Sequence, residues 1–208
     1  MAATPDDVAS RAESTLRHIV TSVLYTIVSV MVLGLVYPVA IWGAGTLLFH
    51  HQAQGSLVYD ENGKLIGSEL VGQRWTAPRY FHGRPSAAGA GYDPTSTGGT
   101  NLGPASKKLL DTTKRTLDAL RKANPHATGP VPMDLVTSSA SGIDPDVSPA
   151  GAYYQAPRVA EARRIPLGRV RSLIDAHVVS RQFGVLGEPH VNVFELNRAL
   201  DAQRAPAR

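Results

Sequence analysis

A long uncharged apolar segment dominates the N-terminal quarter of the chain. The 31 residues from Ile19 to Phe49 include no charged side chain. As an α-helix rising ~1.5 Å per residue, this segment is roughly 46 Å long, and the apolar core of a bilayer is roughly 30 Å thick. A helix satisfies its own backbone hydrogen bonds, which makes it stable in lipid. The sequence therefore predicts a membrane helix over 19–49, between a short N-terminal stretch, 1–18, and a soluble domain, 50–208.

A cleaved signal peptide is the alternative interpretation of this segment. The apolar region of a signal peptide is usually about 7–15 residues long and ends at a small-residue cleavage site. Gly43-Ala44-Gly45 has the composition of such a site, but the apolar stretch before it is too long. A retained anchor is therefore favoured. Pro38 lacks a backbone donor, so we expect it to kink the helix or to mark the end of its apolar core.

The basic residues that flank the segment predict its orientation. Orientation follows the number of Lys and Arg residues near the span rather than net charge. Arg11 and Arg17 precede the segment, and the first basic residue after it is Lys64. This favours a cytoplasmic N-terminus and a domain outside the membrane. The reverse orientation stays open, because acidic residues also lie before the span.

The composition of the soluble part excludes several functional classes. Its length of about 159 residues is enough for one domain with a core. Its net charge of about +5 is scattered, and aromatic residues do not alternate with basic ones, which argues against nucleic-acid binding. The chain has no cysteine, which excludes disulfides, thiolate metal sites and a thiol nucleophile.

Local patterns predict an α+β domain with few strands and about four short helices. Glu61-Asn62-Gly63 separates two apolar runs, which is typical of a β-hairpin. Residues 76–103 are rich in Gly, Ser, Thr and Pro, yet include Tyr80, Phe81 and Tyr92. Long stretches of this kind are usually functional or disordered. The aromatic residues favour an ordered loop that packs on the domain or on a partner.

The helices are predicted from their capping residues and apolar stripes. We expect the first from Pro104 to about Lys122, ended by Asn124-Pro125, and the second after Ser148, an N-cap followed by proline. A third begins at Pro166, and a fourth covers 194–200 after a short strand at 191–193. The apolar stripe of the third helix, which includes His177, belongs either to the core or to an interface.

No catalytic motif is present in the sequence. It contains no Gly-x-Ser-x-Gly elbow, no Walker loop, no His-Glu-x-x-His site and no Asp-Lys-Thr phosphorylation core. An anchored hydrolase with an unrecognised serine is a remote alternative, because Ser138, Ser139 and Ser141 are better explained as turn residues. Gly98 and Gly99 lie in a segment that either forms tight turns or presents amides to an anion.

Polar residues near the predicted helices have both structural and functional interpretations. Asp144 and Asp146 precede a helix, where carboxylates favour the helix dipole or hold a loop, with a cation site as the alternative. Gln155 is most simply a surface or interface amide. Arg84, between Gly83 and Pro85, is expected to anchor its loop to a carboxylate. We predict neither a catalytic residue nor a metal ligand.

Short motifs in a fixed order resemble the KdpC family, the single-span subunits of Kdp-type potassium-transporting P-type ATPases. Each motif is weak alone, but their order is specific and extends from the anchor to Asp201. The resemblance marks fifteen positions as structural or partner-interface candidates: Tyr80, Phe81, Arg84, Pro85, Tyr92, Asp93, Gly98, Gly99, Asn101, Asp134, Asp144, Ser148, Arg158, Glu188 and Asn192.

The chain departs from the family pattern at two places. Asp146 stands where the family usually has a histidine, and the segment His177-Val178-Val179-Ser180-Arg181 replaces a polar His-Thr-Glu type of segment. Ligand roles at those family positions therefore do not carry over to this chain.

The resemblance implies a non-catalytic accessory subunit of an ATP-driven, high-affinity potassium uptake complex in the bacterial inner membrane. Its partners would be a channel-like potassium-binding subunit, an ATP-hydrolysing P-type subunit and a small stabilising peptide. It would have no cofactor of its own, and ATP would be reached only through the complex.

Two hypotheses about its role follow from the resemblance. Members of the family are described as raising the ATP affinity of the hydrolysing subunit, with a glutamine matching Gln155 as the nucleotide contact. A domain outside the membrane cannot meet cytosolic ATP. We therefore rank first a domain that braces the outer face of the potassium-conducting subunit, where Asp144 and Asp146 would concentrate cations. A cytoplasmic nucleotide-binding helper is the alternative.

Overall fold

The computed structural model describes residues 5–203, with side chains from residue 14 onward. The chain forms two compact units, of which the first ends at Gly55 and the second begins at Ser56. The first unit is helical. It consists of α1 (Pro5–Met31), a π-helical turn (Val32–Val36), α2 (Tyr37–Leu48) and the short α3 (His50–Ala53).

The segment Ser14–Leu48 is long and apolar enough to cross a membrane, and its most apolar window is not buried within the protein. This agrees with the predicted membrane helix. Pro38 lies in the first turn of α2, directly after the π-helical turn. A proline cannot donate to the carbonyl four residues before it and crowds that carbonyl, and a wider turn accommodates both effects. The expected end of the apolar core at Pro38 is wrong, because α2 continues to Leu48.

The second unit begins with the predicted β-hairpin. Strands β1 (Leu57–Tyr59) and β2 (Leu65–Ser68) pair antiparallel. In the turn, Asp60 Oδ1 accepts hydrogen bonds from the backbone N–H groups of Asn62, at 2.9 Å, and Lys64, at 2.8 Å. Gly63 has φ +75°, which glycine adopts without strain. The Asn-Gly pattern thus predicts the turn correctly.

Four longer helices and a small sheet complete the α+β unit. The helices are α4 (Lys107–Ala123), α5 (Pro149–Arg163), α6 (Leu167–His177) and α7 (Val193–Ala202), with a 3₁₀ turn at Met133–Leu135. The sheet contains β3 (Asp146–Val147), β4 (Val178–Val179) and β5 (His190–Asn192) in the order β3-β5-β4, all antiparallel.

Side-chain caps explain where the helices begin. Helix α5 begins after Ser148, whose Oγ accepts from the backbone N–H of Gly151 at 3.0 Å, as predicted. Helix α4 begins three residues later than predicted, because Ser106, not Pro104, is its N-cap. Helix α7 begins at Val193, after the cap formed by Asn192. A capping side chain thus fixes the first residue of a helix, whereas a proline marks only the region of the first turn.

The core of the second unit lies among α5, α6, α7 and the sheet. Val159, Val170, Ile174, Val191 and Leu196 are fully buried. The stripe of α6 therefore belongs to the core. His177, at the end of this stripe, is half-buried, with Nδ1 2.8 Å from the carbonyl oxygen of Leu173.

The segment 76–103 contains no helix or strand, yet it packs on this core. Phe81 belongs to the core cluster, and both Phe81 and Ala88 are fully buried. The prediction of an ordered loop is confirmed. Helix α4, in contrast, has no fully buried residue, and only its Leu120 packs against the core cluster among the described residues.

Candidate functional site

Two buried amide side chains hold the start of the long loop. Asn197 of α7 accepts a hydrogen bond from the backbone N–H of Phe81 at 2.8 Å and donates to its carbonyl at 3.0 Å. Gln155 of α5 binds His82 in the same way, at 2.8 and 3.0 Å. Both amides are fully buried. Each amide serves one loop residue as a neighbouring strand would, which fixes a segment that has no regular structure.

Arg158 lies one turn beyond Gln155 and binds the same loop. Its Nη2 donates to Gln155 Oε1 at 2.8 Å and its Nε to Asn124 Oδ1 at 2.9 Å. Its Nη1 donates to the carbonyl oxygens of Tyr80, at 3.0 Å, and of Pro78. Burial lowers the pKa of Arg158 to about 10, so the guanidinium stays charged at neutral pH. These partners are all neutral oxygens, and they offset part of the cost of burying the charge.

His82 is the titratable group of this network. Burial, followed by the nearby charge of Arg158, lowers the pKa of His82 below its ordinary value of 6.5. Its Nε2 lies 3.1 Å from the carbonyl oxygen of Ala77. The imidazole is therefore neutral at pH 7 and adds no second positive charge to Arg158.

Tyr80 connects the loop to the last helix. Its hydroxyl donates to Asp201 Oδ2 at 2.9 Å, and Arg163 binds the other carboxylate oxygen at 2.8 Å. The guanidinium groups of Arg79 and Arg163 lie 4.9 and 5.0 Å from the centre of the Tyr80 ring. Cation–π contacts of this kind stabilise by roughly 0.5–1 kcal/mol when exposed. Trp75 packs against the same ring at 4.7 Å between centroids.

Arg84 anchors the second half of the loop, as predicted. Its Nη1 lies 3.0 Å from Asp144 Oδ2, and its Nη2 donates to the carbonyl of Ser138 at 3.3 Å. The hydroxyl of Tyr92 donates to the carbonyl of Arg84 at 2.6 Å. Burial, and then the charge of Asp144, raises the pKa of Tyr92 to about 12. The phenol therefore remains a donor at physiological pH.

The glycine and serine residues of the two irregular stretches join them by hydrogen bonds. Ser86 Oγ donates to the carbonyl of Gly142 at 2.5 Å and accepts from the backbone N–H of Tyr92 at 2.8 Å. Gly142 has φ +72°, and a Cβ at this position would lie 2.7 Å from Ala88. The N–H of Gly98 donates to the carbonyl of Ser141 at 2.8 Å. This amide is thus occupied and does not support the alternative of an anion-binding nest.

The remaining motif residues also stabilise turns and caps. Asp134 accepts from the backbone N–H of Ser148 at 2.6 Å, and Asp93 accepts from both Thr95 N–H and Oγ, at 2.9 and 2.7 Å. Asn192 caps α7 and also donates to the carbonyl of Glu69 at 2.8 Å. The other candidates are in turns or at the surface: Pro85 is half-buried, Gly99 lies close to the backbone of Ala140, Asn101 is exposed with φ +50°, and Glu188 pairs with Arg181 at 2.5 Å.

The structure brings the candidates together in two groups. Tyr80, Phe81, Gln155 and Arg158 form the first, and Arg84, Tyr92 and Asp144 form the second, within hydrogen-bonding distance of one another or of the same loop. The expectation that Gln155 is a surface or interface amide is wrong. It is fully buried because Phe81 and His82 cover it and because its amide has partners on both ends.

Sequence reasoning misses Asn197, Asn124 and His82. Asn197 lies on the apolar stripe of α7, between Leu196 and Leu200, and both leucines are buried. A polar residue on such a stripe is a signal of a buried hydrogen-bonding role. The sequence marks Asn124 only as a helix terminator, and His82 has no recognisable pattern around it.

No group of three or more potential metal ligands occurs within the described residues 14–203. Asp144 is engaged by Arg84, and Asp146 Oδ2 lies 3.8 Å from His190 Nε2. Burial raises the pKa of Asp146 above its ordinary value. These two carboxylates therefore do not form an open acidic pair.

Comparison with known proteins agrees with the order of the motifs. The family described as "KdpC: K+-transporting ATPase, c chain" matches residues 19–202. The chain belongs to the KdpC family. The resemblance found in the sequence is thus confirmed, and the loop that the two groups hold lies inside the matched region of this KdpC-family chain.

Similar proteins share the name of the family. The potassium-transporting ATPase KdpC subunit of Myxococcus xanthus is 52% identical over 186 residues, which are 89% of this chain and 88% of that protein. That of Acidobacterium capsulatum is 50% identical over 186 residues, 89% and 98% of the two chains. That of Caulobacter vibrioides is 51% identical over 176 residues, 85% and 88%.

Proposed function

We propose that the chain is a non-catalytic accessory subunit of a potassium-transporting ATPase complex in the bacterial inner membrane. The family match over residues 19–202 carries this proposal. The described contacts support it, because the polar motif residues bind backbone groups and one another. The test is affinity purification of the tagged full-length chain from cells that express the whole complex. ATPase subunits that co-purify in fixed proportion support the proposal, and their absence contradicts it.

The proposed partners are a channel-like potassium-binding subunit, an ATP-hydrolysing P-type subunit and a small stabilising peptide. The membrane helix has small residues that allow another helix to approach closely, such as Ala40 and Ala44 at a spacing of four. The hydroxyl of Thr26 donates to the carbonyl of Ser22 at 2.8 Å. This bond satisfies a polar group that would otherwise meet lipid.

Within the complex, we propose that the domain braces the outer face of the potassium-conducting subunit. A brace must be rigid, and the long loop is fixed at Phe81, His82, Arg84 and Tyr92 by side chains of the domain. Shape is favoured over charge as the basis of this role, because Asp144 is paired and Asp146 is partly buried. Asp146→Asn leaves the Arg84–Asp144 pair intact. Unchanged potassium affinity of the assembled complex supports bracing, whereas weaker affinity supports a cation-concentrating role.

A nucleotide contact by Gln155 is the second candidate function, and it rests on the resemblance alone. In the present arrangement, Gln155 binds His82 and Arg158 and is fully buried. A nucleotide could reach it only after these bonds break. Gln155→Leu separates the two roles. A structural role predicts a lower melting temperature of the full-length chain without ATP and an unchanged KM for ATP in complexes that remain assembled. A nucleotide contact predicts a raised KM with unchanged stability.

The side of the membrane on which the domain lies decides whether ATP contact is feasible. Ala202 is exposed, and the chain has no cysteine, so Ala202→Cys provides a single reactive thiol. Labelling by a membrane-impermeant reagent in intact cells places the domain outside. Labelling only after lysis, with the thiol reactive in the unfolded chain as a control, reverses the orientation and favours the nucleotide-binding alternative.

A further inference from the structure

The hairpin between β4 and β5 exposes a cluster of apolar side chains. Every residue from 179 to 189 is exposed. At the end of the hairpin, 92% of Phe183, 72% of Val185 and 57% of Leu186 is accessible to solvent. We call these three side chains the apolar tip. Single exposed apolar residues are common on proteins, but a group of them on one loop is typical of an interaction surface.

Backbone hydrogen bonds give the hairpin a defined conformation. Gln182 and Leu186 each donate from N–H to the carbonyl of the other at 2.9 Å. The N–H of Gly184 donates to the carbonyl of Arg181 at 3.1 Å, and Arg181 pairs with Glu188 at 2.5 Å across the base of the hairpin. A preformed element loses little conformational entropy when it binds a partner.

Phe183 has a backbone conformation that bulky residues rarely adopt. Its φ is +53°, in the left-handed region that favours glycine. Such a conformation persists only where something compensates for its cost. The Phe183 side chain is almost fully exposed, so packing within the domain provides little compensation. The side chain therefore points to a function outside the domain.

We propose that the apolar tip inserts into an apolar pocket of another subunit of the same transport complex. This inference rests on the proposed function. Residues 182–187 carry no charge, and at the base of the hairpin Arg181 and Glu188 neutralise each other. Loops that insert into anionic lipid usually have an excess of Lys and Arg beside the apolar side chains. The balanced charge favours a protein pocket with an uncharged rim.

The size of the apolar tip defines the kind of partner. An independent protein complex buries about 800 Å² on each partner, far more than three side chains provide. A small contact is sufficient when both proteins are already held close together, because the effective concentration is high. The membrane helix of this chain provides such a tether. The apolar tip thus suits a neighbouring subunit in the same membrane better than a second, freely diffusing copy.

Thiol accessibility tests the proposal on the full-length chain. Phe183→Cys introduces a single thiol in the tip, and Ala176→Cys on exposed α6 is the matched control. Both variants are labelled with a maleimide in lipid nanodiscs, first alone and then in the assembled complex. We expect labelling of the thiol at position 183 to slow at least tenfold in the complex only, with little change at position 176.

The other labelling outcomes overturn the proposal. Rapid labelling at position 183 in both samples shows that the tip remains in water, and slow labelling in both shows that lipid covers it. Either result leaves the proposed function intact as long as the wild-type chain co-purifies with the ATPase subunits. Failure of that co-purification contradicts the proposed function itself.

A substitution separates docking from folding. Phe183→Gly removes the side chain and also relieves the positive φ, so the melting temperature of the chain alone should not fall. Because a central aromatic anchor dominates many interfaces, we expect the variant to dissociate from the complex at least tenfold faster. Unchanged dissociation of Phe183→Gly overturns the proposal, and Phe183→Leu, which keeps an apolar group, should retain most of the binding.

Discussion

Arg158 places a positive charge under the long loop with neutral oxygens as its described partners. Its hydrogen bonds connect Asn124, Gln155 and the carbonyls of Tyr80 and Pro78. Arginine suits this position because its planar group donates in several fixed directions at once. The loop therefore depends on one side chain that also depends on the loop for its own burial.

Arg158→Met should destabilise the full-length chain strongly. The substitution keeps much of the side-chain volume but leaves several buried oxygens without a donor, at about 1–3 kcal/mol for each group that water does not reach. We expect a loss of about 3 kcal/mol or more in the free energy of unfolding. Chemical denaturation measures it, and Arg171→Met on the exposed face of α6 is the control. Equal, small effects of both substitutions would contradict the importance of the network.

His82 should make the stability of the domain depend on pH. Because the pKa of His82 is lowered in the folded state, the unfolded chain binds a proton more readily below its ordinary value of 6.5. Stability is then fully present above that value and is lost as the pH falls through it, with a slope of up to about 1.4 kcal/mol per pH unit. His82→Gln should flatten this slope between about pH 7 and 5, as measured by melts at several pH values. The exposed His126→Gln should leave the slope unchanged.

The residues of this network show where sequence-based prediction fails. Asn197 and Phe81 are 116 positions apart, and Gln155 and His82 are 73 apart. Local patterns contain no information about such pairs, so the sequence predicts a surface position for Gln155. The Arg84 anchor is predictable only as a residue type that needs a carboxylate, and the structure supplies Asp144 from 60 positions away.

At the level of elements, local signals predict the fold well. The β1–β2 turn depends on Gly63 and its neighbours, and α5 depends on Ser148 and Pro149, all within a few residues. The predicted start of α4 is wrong, because Pro104 lies in a turn before the actual cap, Ser106. Both α4 and α5 therefore begin with serine caps, but they differ in how much of the core they contribute.

This difference predicts unequal effects of removing the two caps. Ser148→Ala should lower the free energy of unfolding by about 1 kcal/mol or more, because α5 carries many of the buried residues and its cap also binds near Asp134. Ser106→Ala should lower the global value less, because α4 can fray without opening the core. Hydrogen exchange should show faster opening of α4 in that variant. A larger global loss from Ser106→Ala than from Ser148→Ala would contradict the described packing.

At the scale of the whole molecule, the two compact units differ in what stabilises them. Helices α1 and α2 expose apolar side chains along their length, which is the pattern of a segment that lipid surrounds. The second unit has its own core, whose buried apolar residues lie between Val58 and Leu200. The composition alone predicts both kinds of unit, because the uncharged segment and the mixed segment follow one another without overlap.

We therefore expect residues 56–203 to fold without the membrane helix. Every residue of the core cluster lies in this range, and both loop-holding groups are complete within it. The fragment should melt cooperatively, within a few degrees of the soluble unit in the full-length chain, as followed by circular dichroism. Arg158→Met in the fragment should lower the melting temperature as it does in the full-length chain. A fragment that melts without cooperativity would show that the membrane helix or a partner protein is needed to complete the core.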